Sequence, residues 1–212
     1  MDIRTSLVTL SAVLSLGVSS MCQAAIVQVF DSASLSPDPF RLHDFETITG
    51  GIGATYSSGS GIRTVSSGGA SSGVTTSGVN VLTTNGFPEP INITFDAPAS
   101  SVGLFFGNDE PSAGTFDAFL DIYDATGLIG SVSVTANGND FVDQFIGFNS
   151  DELVTEVSIR YGDGTDVALF TVIDDVQFNV AADADVPEPA ALALLGLGFV
   201  GLGYQRRKRQ AI

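Results

Sequence analysis

Apolar residues recur at every second position in short runs along most of this chain, and no other feature constrains its fold as strongly. Ile91, Ile93 and Phe95 alternate with polar residues, and similar runs occupy 118–122, 132–134 and 157–161. A period of two places successive side chains on opposite faces of a β-strand, whereas a helix needs a period near 3.6. We therefore expect residues 26–180 to form one all-β domain.

Turn-forming residues separate these runs. Asp124-Ala125-Thr126-Gly127 predicts a hairpin loop between strands at 116–123 and 128–135, and Asn137-Gly138 and residues 161–166 mark further corners. Further strands are predicted at 26–30, 44–47, 79–82, 102–106, 141–148, 167–173 and 176–180, and weak ones near 62–65 within the Gly/Ser/Thr-rich stretch 50–78. Short strands at such spacing indicate an antiparallel β-sandwich or jelly roll, with a closed barrel as the alternative.

The N-terminus has the features of a secretory signal peptide. Arg4 precedes an uncharged apolar segment at 7–18, and small residues follow it. This order predicts export and cleavage by signal peptidase after Ala24 or Ala25, so that residues 1–25 are removed. The alternatives are an uncut hydrophobic anchor and a lipoprotein that is acylated at Cys22.

The C-terminus has three parts in a fixed order, after a small, acidic linker at 181–186. Pro187-Glu188-Pro189 is an extended peptide, because proline fixes φ and removes a backbone donor. The uncharged run 190–204 is predicted to be a single short transmembrane helix, although membrane spans usually need about 20 residues. A basic cluster follows and is expected to stay in the cytoplasm: Arg206, Arg207, Lys208 and Arg209.

Together these three parts resemble the PEP-CTERM sorting tail of Gram-negative bacteria, here residues 187–210. The resemblance implies an exosortase-like processing enzyme as a partner and the inner membrane as a transient anchor. It also implies a final location at the cell surface or in the extracellular matrix, together with exopolysaccharide.

The composition narrows the possible functions. The chain carries a net charge of −16, and the predicted mature body keeps only Arg41, Arg63 and Arg160 as basic residues. Such a body repels nucleic acid. Cys22 and His43 are the single cysteine and histidine, so a zinc site cannot be assembled, and no Gly-x-Ser-x-Gly elbow accompanies His43 to indicate a Ser-His-Asp triad. We therefore predict a protein that is not an enzyme.

Carboxylates are the remaining candidates for a metal site, since calcium prefers oxygen ligands. One group is Glu46 with Asp174 and Asp175, and the other is Asp163 with Asp166. The segments around the first group, Asp44-Phe45-Glu46 and residues 173–178, resemble the first and last strands of jelly-roll modules of the galactose-binding type. That resemblance implies neighbouring terminal strands and a structural calcium ion.

Three functions fit these observations. The first is a non-enzymatic structural or adhesive component of the envelope or of a biofilm matrix. The second is a carbohydrate-binding module, with calcium as a candidate requirement. The third is a glycoside hydrolase that uses two of the many carboxylates.

Overall fold

The computed structural model describes residues 25–36, 40–46, 53–66, 75–107, 114–139, 141–162 and 167–180. The predicted linker at 181–186, the sorting tail and all of the signal peptide except Ala25 lie outside these residues. The described residues form ten strands and one short 3-10 helix at Ser32–Ser34. The strands are β1 Ile26–Val29, β2 Phe40–His43, β3 Ala54–Ser57, β4 Ile62–Ser66, β5 Asn80–Thr84, β6 Ile91–Gly107, β7 Asp117–Asp124, β8 Gly127–Thr135, β9 Gln144–Tyr161 and β10 Val172–Asn179.

All strand pairs are antiparallel, and two long strands organise them. The first half of β6 pairs with the second half of β9, and this pair is flanked by β3 on one side and by β7 and β8 on the other. The second half of β6 pairs with the first half of β9, flanked by β10 and by β1. Strands β2 and β5 both pair with the other edge of β10, and β4 pairs with β5.

The two halves share one apolar core. The rings of Phe95 in the first half and Phe178 in the second lie 5.0 Å apart between their centroids. Ile93, Leu104 and Val157 are among the fully buried members of the same cluster. Long strands that pass from one layer to the next through bulges are one way to make the corner of a two-layer fold. The β6–β9 register shifts on both sides of Ala99, and the arrangement is consistent with the predicted β-sandwich.

The structure confirms the alternation and corrects several strand bounds. The hairpin of β7 and β8 forms as predicted. The predicted strands at 91–95 and 102–106 are one continuous strand, because pairing with β9 resumes after the bulge at Ala99. The strand predicted at 44–47 is wrong, since β2 ends at His43 and Phe45 has a φ of 56°. Residues 167–171 are likewise not a strand, and β3 was not predicted.

A short segment covers the outer face of the second half. Leu35 packs there with Val29 and Phe145, and partly buried Phe40 and Phe105 surround them. Asn149 fixes the segment, because its Oδ1 accepts a hydrogen bond from the Ser36 amide at 3.0 Å and its Nδ2 donates to the Ser34 carbonyl at 3.0 Å.

Within the described residues, no helix has the length and apolar character needed to span a membrane. The apolar run 190–204 lies outside these residues, so its helical conformation stays a prediction.

Candidate functional site

The acids predicted to bind metal lie where β2 and β10 meet. Asp174 and Asp175 occupy an irregular section of β10, where the register with β6 shifts between Asp174 and Gln177. Glu46 follows β2, whose His43 pairs with Val176 of β10. Strands β2 and β10 are therefore neighbours, but Glu46 lies beyond β2, and the first strand, β1, pairs with β9 and not with β10.

These acids hold the segment 75–80 by hydrogen bonds. Oδ2 of Asp174 accepts from the amides of Thr76 at 3.0 Å and Ser77 at 3.2 Å, and Oδ1 of Asp175 accepts from the Ser77 hydroxyl at 2.7 Å. Oε1 of Glu46 accepts from two more amides of the segment, those of residues 79 and 80, both at 2.7 Å. Carboxylates thus satisfy backbone donors of a segment that is distant in sequence.

Asp174 is fully buried, and burial raises its pKa to about 6 against the lowering effect of its hydrogen bonds. The side chain therefore changes its charge within an ordinary pH range, although it lies inside the fold.

No group of three or more His, Cys, Asp or Glu side chains suited to a metal ion occurs among the described parts of the chain. Asp163 and Asp166 lie outside those parts. The structure brings Glu46, Asp174 and Asp175 to one segment as hydrogen-bond acceptors, and calcium binding by them stays a prediction.

The single histidine belongs to a ring cluster beside this region. Nδ1 of His43 lies 3.0 Å from the hydroxyl of Tyr56, and both rings contact Phe45. Burial lowers the pKa of His43, against the opposite effect of Asp44, and it raises the pKa of Tyr56. These contacts explain why Phe45 leaves the strand geometry: its ring turns inward and packs on its neighbours.

A cleft of about 110 Å³ lies beside the start of β10, and the sequence did not predict it. The turn before β6, the end of β9 and the residues before β10 form its walls, which are lined by Pro88, Glu89, Pro90, Arg160, Tyr161, Leu169 and Thr171. The one available signal was the tripeptide Pro88-Glu89-Pro90, which repeats the letters of the C-terminal motif inside the body.

Hydrogen bonds hold Glu89 in one orientation. Its Oε2 accepts from the Ser58 hydroxyl at 2.9 Å and from the Ser60 amide and hydroxyl at 2.7 and 2.6 Å. The bonds from Ser60 and then Ser58 lower the pKa of Glu89, so the carboxylate is charged at neutral pH. The Thr171 hydroxyl also donates to the Glu89 carbonyl at 2.6 Å, which fixes the backbone of the turn.

Arg160 forms the opposite wall and is held by groups of the protein. Its Nε donates to Oδ2 of Asp121 at 2.8 Å, and its Nη1 donates to the Gly162 carbonyl at 2.6 Å. The guanidinium also lies over the ring of Phe119, 4.3 Å from its centroid. The cation is therefore already neutralised by a carboxylate of the fold.

An exposed aromatic ring lies next to the cleft. Phe87 directly precedes the lining residue Pro88, through a cis peptide bond, and its side chain is 51% exposed. Its ring contacts Phe170 at 4.9 Å in an edge-on arrangement, and Arg63 lies over the Phe170 ring at 5.4 Å. The groups available to a ligand are thus an apolar ring face and a fixed carboxylate.

Glycosidases use two facing carboxylates, and the described cleft lining supplies Glu89 alone.

The solved structures that are similar to this chain are distant. An adhesin domain of Lys-gingipain has a TM-score of 0.48 at 17% identity and covers 67% of this chain and 100% of its own. A family 11 carbohydrate-binding module of a cellulosomal cellulase of Clostridium thermocellum has a TM-score of 0.36 at 13% identity, with 71% and 99% covered. A second Lys-gingipain adhesin domain, from Porphyromonas gingivalis, has a TM-score of 0.36 at 10% identity, with 74% and 99% covered.

Curated proteins yield no match to this sequence. The C-terminal segment, in contrast, matches a family model over the residues that hold the tripeptide, the apolar run and the basic cluster. That motif implies exosortase processing, and with it export and transit through the membrane. Residues 185–209 of this chain are a PEP-CTERM protein-sorting motif.

Proposed function

We propose that this chain is exported, anchored transiently in the inner membrane by residues 190–204, and released to the cell surface or the extracellular matrix. The sorting motif at 185–209 is the observation that carries the proposal. Signal peptidase removes residues 1–25, the basic residues 206–209 stay in the cytoplasm, and an exosortase-like enzyme cuts at or near Pro187-Glu188-Pro189.

The mature body, a jelly-roll-like sandwich, then acts as a non-enzymatic structural or adhesive component linked to exopolysaccharide or biofilm. The positions of its first and last strands support release of the body as an intact domain. Strand β1 begins at Ile26, directly after the predicted cleavage sites, and β10 ends at Asn179, shortly before the linker. Both processing events therefore leave the sheet intact.

The test is the intact mass of the protein recovered from membrane and medium fractions of a bacterium that expresses the full chain and encodes an exosortase. We expect the protein in the medium to lack residues 1–25 and to end near Pro187–Pro189. A control variant with alanine at 187, 188 and 189 is expected to remain in the membrane with its tail. The proposal fails if the wild-type protein in every fraction still contains Arg206–Arg209.

A carbohydrate-binding module is the second candidate, and the cleft beside Phe87 favours it. An exposed ring next to a fixed carboxylate combines an apolar surface with a hydrogen-bond acceptor, which is the usual composition of a small-ligand site. Calcium at Glu46, Asp174 and Asp175 is part of this candidate. Binding of the body to a panel of polysaccharides, measured with calcium and again with a chelator, tests whether it binds carbohydrate and whether calcium is required.

A further inference from the structure

We propose that the exposed surface of the turn at residues 87–90, next to the cleft, binds one sugar ring of an uncharged polysaccharide. Phe87 provides the stacking face, and Glu89 accepts hydrogen bonds from the sugar hydroxyls. This inference rests on the carbohydrate-binding candidate described above and assigns its site and ligand class.

The first argument is the setting of Phe87. An exposed aromatic side chain leaves apolar area in water, and a sugar ring presents a C–H face that can cover it. The ring is also held from behind, because Phe170 contacts it edge-on and Arg63 in turn covers Phe170. A ring that is fixed before binding loses little conformational entropy when a ligand covers it.

The second argument is the state of Glu89. One carboxylate oxygen, Oε2, is occupied by three donors from Ser58 and Ser60. Within the described residues, the other oxygen, Oε1, accepts no hydrogen bond, and Glu89 is only partly buried. Sugar hydroxyls are donors, and hydrogen bonds to a charged acceptor are stronger than those to a neutral one.

The third argument selects uncharged polymers over acidic ones. The body has few basic residues: Arg160, the one cation among the described lining residues of the cleft, pairs with Asp121 at 2.8 Å, and Arg63 lies over the Phe170 ring. A charged Glu89 and a strongly acidic surface repel a polyuronate at moderate ionic strength. A neutral chain meets no such barrier.

The experiment is affinity electrophoresis of the mature protein from the medium in gels that contain mixed-linkage β-glucan, galactomannan or dextran, with alginate as the acidic polymer. We expect at least one neutral polymer to retard the protein and alginate to leave its mobility unchanged. Phe87→Ala and Glu89→Gln should each weaken retardation about tenfold or more, as expected for central contacts of a small site.

Two exposed residues provide matched controls. Phe30 is 70% exposed and follows β1, away from the cleft, so Phe30→Ala removes an equal ring. Glu152 on β9 is exposed, so Glu152→Gln removes an equal charge. Both variants should bind like the wild type, and thermal unfolding of all four variants identifies any loss that is due to misfolding.

The inference is overturned if no neutral polymer retards the protein, if alginate alone does, or if folded Phe87→Ala binds like the wild type. Its failure is distinguishable from failure of the proposed export. A correctly cut protein in the medium that binds nothing refutes the sugar site and the carbohydrate-binding candidate but not the export, whereas an uncut tail refutes the release step.

Discussion

Replacing Asp174 by Asn tests whether the buried carboxylate makes the stability of the fold depend on pH. The pKa of Asp174 is about 6 in the folded protein against an ordinary value of 3.8. The neutral form is therefore favoured by folding. Its stabilising effect is fully present below about pH 4 and is lost as the pH rises through about 6. A difference of about 2 pKa units corresponds to about 3 kcal/mol of unfolding free energy.

Urea unfolding between pH 4 and pH 8, in a chelator, measures this effect. Other acids titrate in the same range, so the informative quantity is the unfolding free energy of the wild type minus that of Asp174→Asn at each pH. We expect this difference to fall by about 2–3 kcal/mol between pH 4 and pH 7. The Asn oxygen can still accept from the Thr76 and Ser77 amides, whereas its NH2 group cannot replace the oxygen that accepts from the Asp175 amide.

Glu152→Gln is the control for this experiment, because it removes one negative charge from the surface without contact to segment 75–80. The reasoning is refuted if the difference for Asp174→Asn stays constant within about 0.5 kcal/mol across the pH range. That result would mean that the carboxylate has the same pKa in the folded and unfolded chain.

Two further predictions concern the outer face of the second half. Asn149→Ala should lower the unfolding free energy by about 1–3 kcal/mol, since it leaves the Ser36 amide and Ser34 carbonyl without partners. Hydrogen exchange of the Ser36 amide checks the loss of this partner. Equal protection of that amide in Asn149→Ala and in the wild type would contradict the prediction. Gly103→Ala should cost about 1–3 kcal/mol, because a Cβ there would lie 2.3 Å from Cζ of Phe145. Denaturant unfolding measures the loss of unfolding free energy. The prediction fails if Gly103→Ala costs as much in a Phe145→Leu protein as in the wild type.

The sequence predicts the strands well where one face of each strand is buried. Ile91, Ile93 and Phe95 alternate because their side chains enter the core, and the structure buries all three. The continuity of β6 was not predictable in the same way, since it depends on a partner strand that lies about 50 residues away in the chain. A residue such as Pro98 suggests a break, yet here it sits in a bulge where the ladder requires no amide donor.

The candidate site was harder to predict for a related reason. The tripeptide containing Glu89 indicates a turn and only weakly a cleft, because the opposite wall comes from Arg160 and Thr171, which are distant in the chain. The acids at 174 and 175 were predicted to bind metal, and the structure shows them as hydrogen-bond acceptors. Their hydrogen-bond partners, however, lie almost 100 residues earlier in a stretch that lacks apolar periodicity.

The position of β10 in the sheet determines how the body responds to mechanical load. The last strand is an interior one, paired with β6 on one side and with β2 and β5 on the other, and Asn179 at its end accepts from the amides of Ser100 and Ser101. While the tail is in the membrane, drag on a bound polymer would pull along this strand. Its hydrogen bonds would then share the force in shear instead of opening one at a time, so the body would resist tension best at the end by which the cell holds it.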